Sequence, residues 1–125
     1  MRNGDGMETR ALRVSVFFML TAWSAGSLST TGNLETTVVR ILTDETDYGT
    51  CMVELADNVS TSGANCKQKW VTFACDGTFG SKTSAANKLS AAQLAFVTGG
   101  SVKVYVDDSK KISGYCWATR VDNIQ

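Results

Sequence analysis

The stretch from Thr83 to Arg120 constrains the fold of this chain more than any other. Its first part, Thr83–Val97, has the period of an amphipathic helix with one apolar stripe that is expected to face the core. The stripe consists of Ala85, Leu89, Ala92 and Phe96. Ser81 or Thr83 can cap the amino end of this helix. Gly99 and Gly100 are expected to end it, because glycine adopts the left-handed conformation without a steric penalty.

Two strands are predicted after the helix, and they form a hairpin. Valines alternate with lysine and tyrosine over Ser101–Val106, which is typical of a half-buried strand. The polar segment 107–114 is interpreted as the turn, and Tyr115–Val121 returns as the last strand. Asp107 and Asp108 lie in this turn, followed at once by two lysines, so we interpret them as solvated turn residues and not as an acid–base pair.

Three further strands are predicted before the helix. They cover Thr37–Leu42, Thr50–Leu55 and Gln68–Cys75, where β-branched, aromatic and other apolar residues are concentrated. The Ser, Thr and Gly residues of Ser27–Asn33 indicate a mobile lead-in. The order along the chain is therefore β-β-β-α-β-β, and the fold class is mainly β with one helix between strands three and four.

The chain has four cysteines and no histidine. Cys51, Cys66, Cys75 and Cys116 are separated by 15, 9 and 41 residues, with no CxxC pair, so a metal site is less favoured than two disulfides. The residues alone leave all three pairings open. An even cysteine number in a small domain indicates an oxidising compartment.

Residues 1–26 are predicted to be a signal peptide. Arg10 and Arg13 precede the apolar run Val14–Ala22, and small residues follow it. The run is shorter than the roughly 20 residues needed to span a bilayer. The alternative is a buried amino-terminal helix. With cleavage near Gly26, residues 27–125 form a single domain that is secreted or periplasmic and does not insert into the membrane.

Composition argues against several functional classes. The 12 basic and 12 acidic residues balance, so no nucleic-acid partner is expected. Without histidine the chain lacks the commonest general base and metal ligand, and no serine elbow or SxxK motif is present. We therefore expect no enzyme activity, no catalytic residues, no metal and no cofactor.

Aromatic residues divide into two groups. Phe73 and Phe96 are interpreted as core. The second group occupies strand positions, where at least some of the rings must be exposed or lie at an interface. It consists of Trp70, Tyr105, Tyr115 and Trp117. Such rings can stack on sugars or pack against another subunit. The alternative is that they cap a small barrel.

The chain resembles the B subunits of the subtilase cytotoxin and typhoid toxin type. The spacing of Cys51 and Cys66 is similar to that of the family's intramolecular disulfide. An aromatic strand then leads into the helix, and the junction AFVTGGSVKVYV, Ala95–Val106, follows the family's pattern of an aromatic residue, Thr-Gly and an alternating strand. The resemblance covers roughly 36–121.

This resemblance implies a five-stranded OB-like barrel and a Cys51–Cys66 disulfide, and Cys75 would then pair with Cys116. The family's sialoglycan site uses a serine near the start of strand one, where this chain has Thr36 and Thr37. With Trp117, these are the ligand-binding candidates. The expected function is an exported, homo-oligomeric module that binds glycans. The alternative is a structural or inhibitory protein with a protein ligand, bound through a strand edge or the Trp117 face.

Overall fold

The structure, a computed structural model, describes residues 29–125. The predicted signal peptide, 1–26, lies outside this range. The described residues form five strands and one α-helix, in the order β1 (Thr31–Thr43), β2 (Cys51–Leu55), β3 (Trp70–Thr72), α1 (Lys82–Thr98), β4 (Ser101–Ile112) and β5 (Tyr115–Ile124). The predicted mainly-β class, with five strands and one helix, is confirmed.

The five strands form one mixed sheet in the order β1-β2-β3-β5-β4. β1 closes this sheet into a ring, because its first half pairs with β4 and its second half with β2. A register shift in the β1–β2 pairing, between Val38 and Arg40, lies just after this change of partner. A bulge of this kind bends a strand and increases its twist, which lets one strand serve both neighbours. All pairs are antiparallel except β3 with β5.

The core lies inside the ring and under α1. The alternation predicted for β4 is confirmed, since Val102, Val104 and Val106 are each at most 1% exposed. The helix contributes small side chains, with Ala85, Ala92 and Ala95 buried. Small side chains let the helix backbone approach the strands closely. Phe73 is buried as predicted.

The helix boundaries follow the sequence signals closely. Ser81 is the N-cap, and its hydroxyl accepts a hydrogen bond from the Ser84 N–H at 3.0 Å. Gly99 ends the helix with a φ of 71°. The predicted stripe is wrong at one position, because Phe96 is 46% exposed. Ala95, and not Phe96, is buried in the last turn of the helix.

Strands extend into two segments predicted as loops. Thr31, Gly32 and Asn33 belong to β1 and pair with Asp107, Val106 and Tyr105, so the predicted lead-in is wrong for these three. β4 continues to Ile112, so Asp107 and Asp108 lie in a strand. The turn between β4 and β5 contains only Ser113 and Gly114, both with positive φ.

The disulfide pairing implied by the resemblance is wrong. Cys51 is bonded to Cys75, and Cys66 to Cys116, with Cα–Cα distances of 5.7 and 5.5 Å. The first pair follows from the antiparallel pairing of β2 with β3. This pairing continues past β3, because the Phe73 N–H donates to the Cys51 carbonyl, and it places Cys75 next to Cys51.

The second disulfide follows from the parallel pairing of β3 and β5, in which Val71 lies opposite Cys116. The segment before β3 therefore runs beside β5, and the Cys116 Sγ lies 3.6 Å from the Asn65 carbonyl oxygen, next to Cys66. Strand register decides the pairing, whereas the distance along the chain does not. Two disulfides indicate an oxidising, extracellular or periplasmic setting.

Candidate functional site

The outward face of β5 carries two aromatic side chains. Cys116 and Ala118 are fully buried, while Tyr115 and Trp117 between them are half-buried. Because successive side chains of a strand point to opposite faces, both rings lie on the outer surface, roughly 7 Å apart along the strand. The four strand aromatics, Trp70, Tyr105, Tyr115 and Trp117, are all half-buried, so none of them is fully exposed.

Tyr115 lies where two loops meet. The ring of Tyr48, in the β1–β2 loop, packs edge-on against it with 6.0 Å between the ring centroids. Lys67 places its Nζ 4.9 Å from the centroid of the Tyr115 ring. Gly114, immediately before Tyr115, adopts a φ of 86° in the β4–β5 turn. Both loops thus bring aromatic surface to the same end of the barrel.

The β1–β2 loop is held in place by its own polar groups. The Asp44 carboxylate accepts hydrogen bonds from the backbone N–H groups of Thr46 and Asp47, and these bonds lower the pKa of Asp44. The buried hydroxyl of Thr72 donates to the Tyr48 carbonyl at 2.8 Å. Tyr48 itself has a φ of 59°, which is uncommon for a residue of this size. The loop therefore fixes the position of the Tyr48 ring.

Trp117 is the centre of a second cluster. Phe79 packs on it with 5.6 Å between ring centroids, and the Nζ atoms of Lys88 and Lys110 lie 4.8 and 4.9 Å from its centroid. Gly80 lies against the indole, since a Cβ at that position would be 3.4 Å from it. The indole Nε1 is buried and has no hydrogen-bond partner among residues 29–125. Such a group usually finds a partner in a folded protein.

The lysines of both clusters make no ion pair with a carboxylate of residues 29–125. Within residues 29–125 the ion pairs are Arg40 with Glu54 and Arg120 with Asp122. Lys88 donates to the Ala118 carbonyl at 3.2 Å, and its partial burial lowers its pKa. We call the combined surface the aromatic row: it consists of Tyr48, Phe79, Tyr115 and Trp117, with Lys67, Lys88 and Lys110 beside the rings.

The structure does not bring the three predicted ligand-binding residues together. Trp117 pairs with Asp107, which pairs with Thr31. Thr36 is five residues farther along β1, or roughly 16 Å at the rise of a strand. Thr36 is buried, and its hydroxyl accepts a hydrogen bond from the Asp57 N–H at 3.3 Å. Thr37 is half-buried and lies opposite Ser101.

Asp108 has a structural task that the sequence did not indicate. Its carboxylate accepts the N–H of Thr30 at 2.7 Å and that of Asn65 at 2.9 Å. These bonds lower its pKa, the one from Asn65 most strongly. The interpretation of Asp108 as a turn residue is therefore wrong, and its solvent-exposed carboxylate joins three segments of the chain.

Another surface groove lies beside Trp70. Its volume is about 380 Å³, and Glu54, Asn58, Gln68 and Lys69 line it with the tryptophan. Arg40 covers the Trp70 ring at 5.7 Å from its centroid and also pairs with Glu54 at 3.1 Å.

No group of three or more Cys, Asp or Glu side chains in residues 29–125 is arranged to hold a metal ion. No helix in the same range is long and apolar enough to cross a membrane.

Sequence reasoning named Trp117 as a ligand-binding candidate and Tyr115 only among the strand aromatics, and it missed the residues around them. Phe79, Lys88 and Lys110 come from a turn, the helix and β4, and only the folded chain places them beside Trp117. Comparison with known proteins found no matching family model, no similar curated protein and no similar solved structure.

Proposed function

We propose that this chain is a small exported binding module of the OB type, without catalytic activity, that binds carbohydrate through the aromatic row. The OB assignment is supported by the ring order β1-β2-β3-β5-β4, by the pairing of β1 with β4, and by the single helix between β3 and β4. A partly open five-stranded barrel of this type binds oligonucleotides and oligosaccharides at its β1–β2 and β4–β5 loops.

The observation that carries the proposal is the packing of Tyr48 against Tyr115. One ring belongs to the β1–β2 loop and the other follows the β4–β5 turn, so aromatic surface lies where OB barrels take their ligands. The apolar face of a sugar ring packs on aromatic side chains of this kind. Trp117, two residues along β5, extends the surface enough for more than one sugar unit.

The polar groups of the row suit a saccharide. Lys67 and Lys110 are exposed, and their ammonium groups can donate to hydroxyl or carboxylate oxygens. Balanced overall charge disfavours the other ligand class of OB barrels, nucleic acid.

The resemblance to toxin B subunits belongs to the same proposal. It adds the expectation of a secreted or periplasmic protein that acts as a homo-oligomer and presents several weak glycan sites at once. Thr36 and Thr37 are the positions that the resemblance assigns to ligand binding. The buried, hydrogen-bonded Thr36 hydroxyl supports the aromatic row as the stronger candidate.

A glycan array followed by titration calorimetry tests the proposal. Tyr48→Asn removes one ring while keeping a residue that tolerates the left-handed φ of 59°. We expect the variant to bind its array ligand roughly two- to tenfold more weakly, as the loss of one aromatic contact predicts. Phe96→Asn, an exposed aromatic residue outside the row, is the matched control and is expected to bind normally. Silence of the native protein on the array would refute carbohydrate binding.

The second candidate is a protein ligand on the same surface. Tryptophan and tyrosine are enriched among the few interface residues that contribute most of the binding energy. The Tyr115 and Trp117 rings on the outer face of β5 favour this candidate as well. A pull-down from periplasmic extract that recovers a partner with the native protein and with Phe96→Asn, but not with Tyr48→Asn, would support it over the glycan.

A further inference from the structure

The groove beside Trp70 lies next to the aromatic row. Val71 and Cys116 pair across the parallel β3 and β5 strands, and both are fully buried. Because successive side chains of a strand point to opposite faces, Trp70 and Tyr115, which precede this pair, both lie on the outer face. Their strands are neighbours, so roughly 5 Å separates the two backbones.

The row and the groove also share a border, formed by residues 67–70. Lys67 places its Nζ 4.9 Å from the centroid of the Tyr115 ring, in the row. The next three residues, Gln68, Lys69 and Trp70, line the groove. A ligand that extends from Tyr115 towards β3 therefore meets the groove next.

Backbone hydrogen bonds fix the wall of the groove. The Leu55 N–H donates to the Lys69 carbonyl at 2.7 Å, and the Val59 N–H donates to the Gln68 carbonyl at 2.8 Å. Gln68 has a φ of 57°, which is uncommon for a residue other than glycine. Residues held in such conformations cluster at ligand sites. A site that is ordered before the ligand arrives binds at a lower entropic cost.

The side chains of the groove suit a hydroxyl-rich ligand without net charge. The groove volume of about 380 Å³ lies within the range of small-molecule sites. Trp70 offers an apolar ring, and the amides of Asn58 and Gln68 each donate and accept hydrogen bonds. Glu54 and Lys69 carry opposite charges that balance. A sugar unit matches this set, because it has an apolar face and hydroxyls that both donate and accept.

Arg40 orders two of these side chains. It pairs with the Glu54 Oε2 at 3.1 Å and lies 5.7 Å from the centroid of the Trp70 ring. The second carboxylate oxygen of Glu54 takes no part in this ion pair. That oxygen can accept a hydrogen bond from a ligand hydroxyl.

We infer that the groove beside Trp70 is a second sugar-binding subsite, and that this chain binds an oligosaccharide that continues from Tyr115 across β3 into the groove. The inference rests on the proposed function, because it takes the aromatic row as the first subsite. It adds that affinity depends on the length of the saccharide, since only the units beyond the row contact Glu54, Asn58 and Gln68.

Titration calorimetry with saccharides of two lengths tests this inference. The probes are the disaccharide and tetrasaccharide fragments of the glycan that binds most strongly on the array. We expect the native protein to bind the tetrasaccharide roughly thirtyfold more tightly than the disaccharide. Trp70→Ala is expected to leave disaccharide binding unchanged and to lower this ratio to roughly three. A ratio of about three remains because a tetrasaccharide contains three overlapping disaccharides that the row can bind.

Two further variants keep the test decisive. Gln68→Gly removes a groove side chain, and glycine adopts the φ of 57° without a steric penalty, so this variant should fold even where Trp70→Ala does not. Circular dichroism checks the fold of both. We expect Gln68→Gly to lower the ratio roughly threefold. Tyr48→Asn, in the row, should weaken both fragments by the same factor, and Phe96→Asn should match the native protein.

The subsite and the proposed function fail in different ways. Silence of the native protein on the array would refute carbohydrate binding, and the subsite with it. A native ratio of about three or less would overturn the subsite alone. So would folded groove variants that keep the native ratio, and the row would then be the whole site.

Discussion

At the scale of single residues, Asp108 connects parts of the chain that are far apart in sequence. Its carboxylate accepts from the backbone of Thr30 and of Asn65, and its own N–H donates to the Thr30 carbonyl. Both carboxylate bonds stabilise the ionised form, so the pKa of Asp108 is lower in the folded chain than in the unfolded one. Asp44 and Asp76 have lowered pKa values for the same reason, through backbone and hydroxyl donors.

The lowered pKa of Asp108 makes the free energy of unfolding depend on pH. A carboxylate whose pKa is lower in the folded state stabilises the fold at pH values above its unfolded-state pKa. This stabilisation is lost as the pH falls through its folded-state pKa. We therefore expect Asp108→Asn to be less stable than the native protein near neutral pH and to lose less stability on acidification. Chemical unfolding monitored by tryptophan fluorescence, at neutral pH and at successively lower pH values, measures the difference.

A second variant separates this effect from a general change of charge. The Asp57 carboxylate accepts no hydrogen bond from residues 29–125, so Asp57→Asn should follow the native pH profile. Equal profiles for Asp108→Asn and the native protein would show that the carboxylate does not join the three segments. Asp44 and Asp76 remain in both variants, so part of the acid sensitivity is expected to persist.

At the scale of elements, the amino end of α1 depends on one hydroxyl. Ser81 has extended backbone angles and accepts from the Ser84 N–H, whereas Thr83 lies inside the helix and is exposed. We expect Ser81→Ala to lower the free energy of unfolding by about 1 kcal/mol and Thr83→Ala to change it by less than about 0.5 kcal/mol. Denaturant titration of both variants checks this. A larger effect at Thr83 would place the cap there.

Elements fixed by local chemistry could be predicted from the sequence. The helix was expected over Thr83–Val97 and spans Lys82–Thr98, because a capping serine and a terminal glycine act within a few residues. Thr31–Asn33 and Asp107–Ile112 could not be recognised as strands, since their side chains are mostly polar and only pairing between β1, β4 and β5 makes them extended. Phe96 fits the helical stripe, but the last turn buries Ala95 instead.

The candidate site could be predicted only in part, because most of its residues are brought together by contacts between distant segments. Alternation along a strand is a local pattern, and by it Tyr115 and Trp117 share a face of β5. The lysines beside them come from the loop before β3, from α1 and from β4, and the sequence holds no short-range signal for that convergence. Thr36 and Thr37 were assigned to ligand binding by resemblance alone. Thr36 is buried by packing in the folded chain, which a sequence motif does not reveal.

At the scale of the whole molecule, each disulfide connects two distant parts of the chain. One joins β2 to the segment after β3, and the other joins the segment before β3 to β5. The Cys51–Cys75 bond closes a loop with a sequence separation of 24, and Cys66–Cys116 one of 50. In the chain-entropy model these loops correspond to roughly 3 and 4 kcal/mol of stabilisation. Both values are large beside the net stability of a small domain, so the pairing has a strong influence on whether the barrel persists.

Peptide mapping without reduction tests the pairing directly. Trypsin cleaves after Arg40 and Lys67, so Cys51 and Cys66 remain in one peptide, while Cys75 and Cys116 fall in two others. The pairing in the structure predicts a single species of three linked peptides. A Cys51–Cys66 bond would instead leave the first peptide alone and join the other two.

A second cleavage distinguishes the remaining arrangement, in which Cys51 pairs with Cys116. Cutting the chain after Glu54 with a glutamate-specific protease, in addition to trypsin, separates Cys51 from Cys66. The structure then predicts two linked pairs: the peptide of Cys51 with that of Cys75, and the peptide of Cys66 with that of Cys116. The parallel pairing of β3 with β5 places Cys66 beside Cys116, so a Cys66–Cys75 linkage would contradict that pairing and, with it, the closure of the ring.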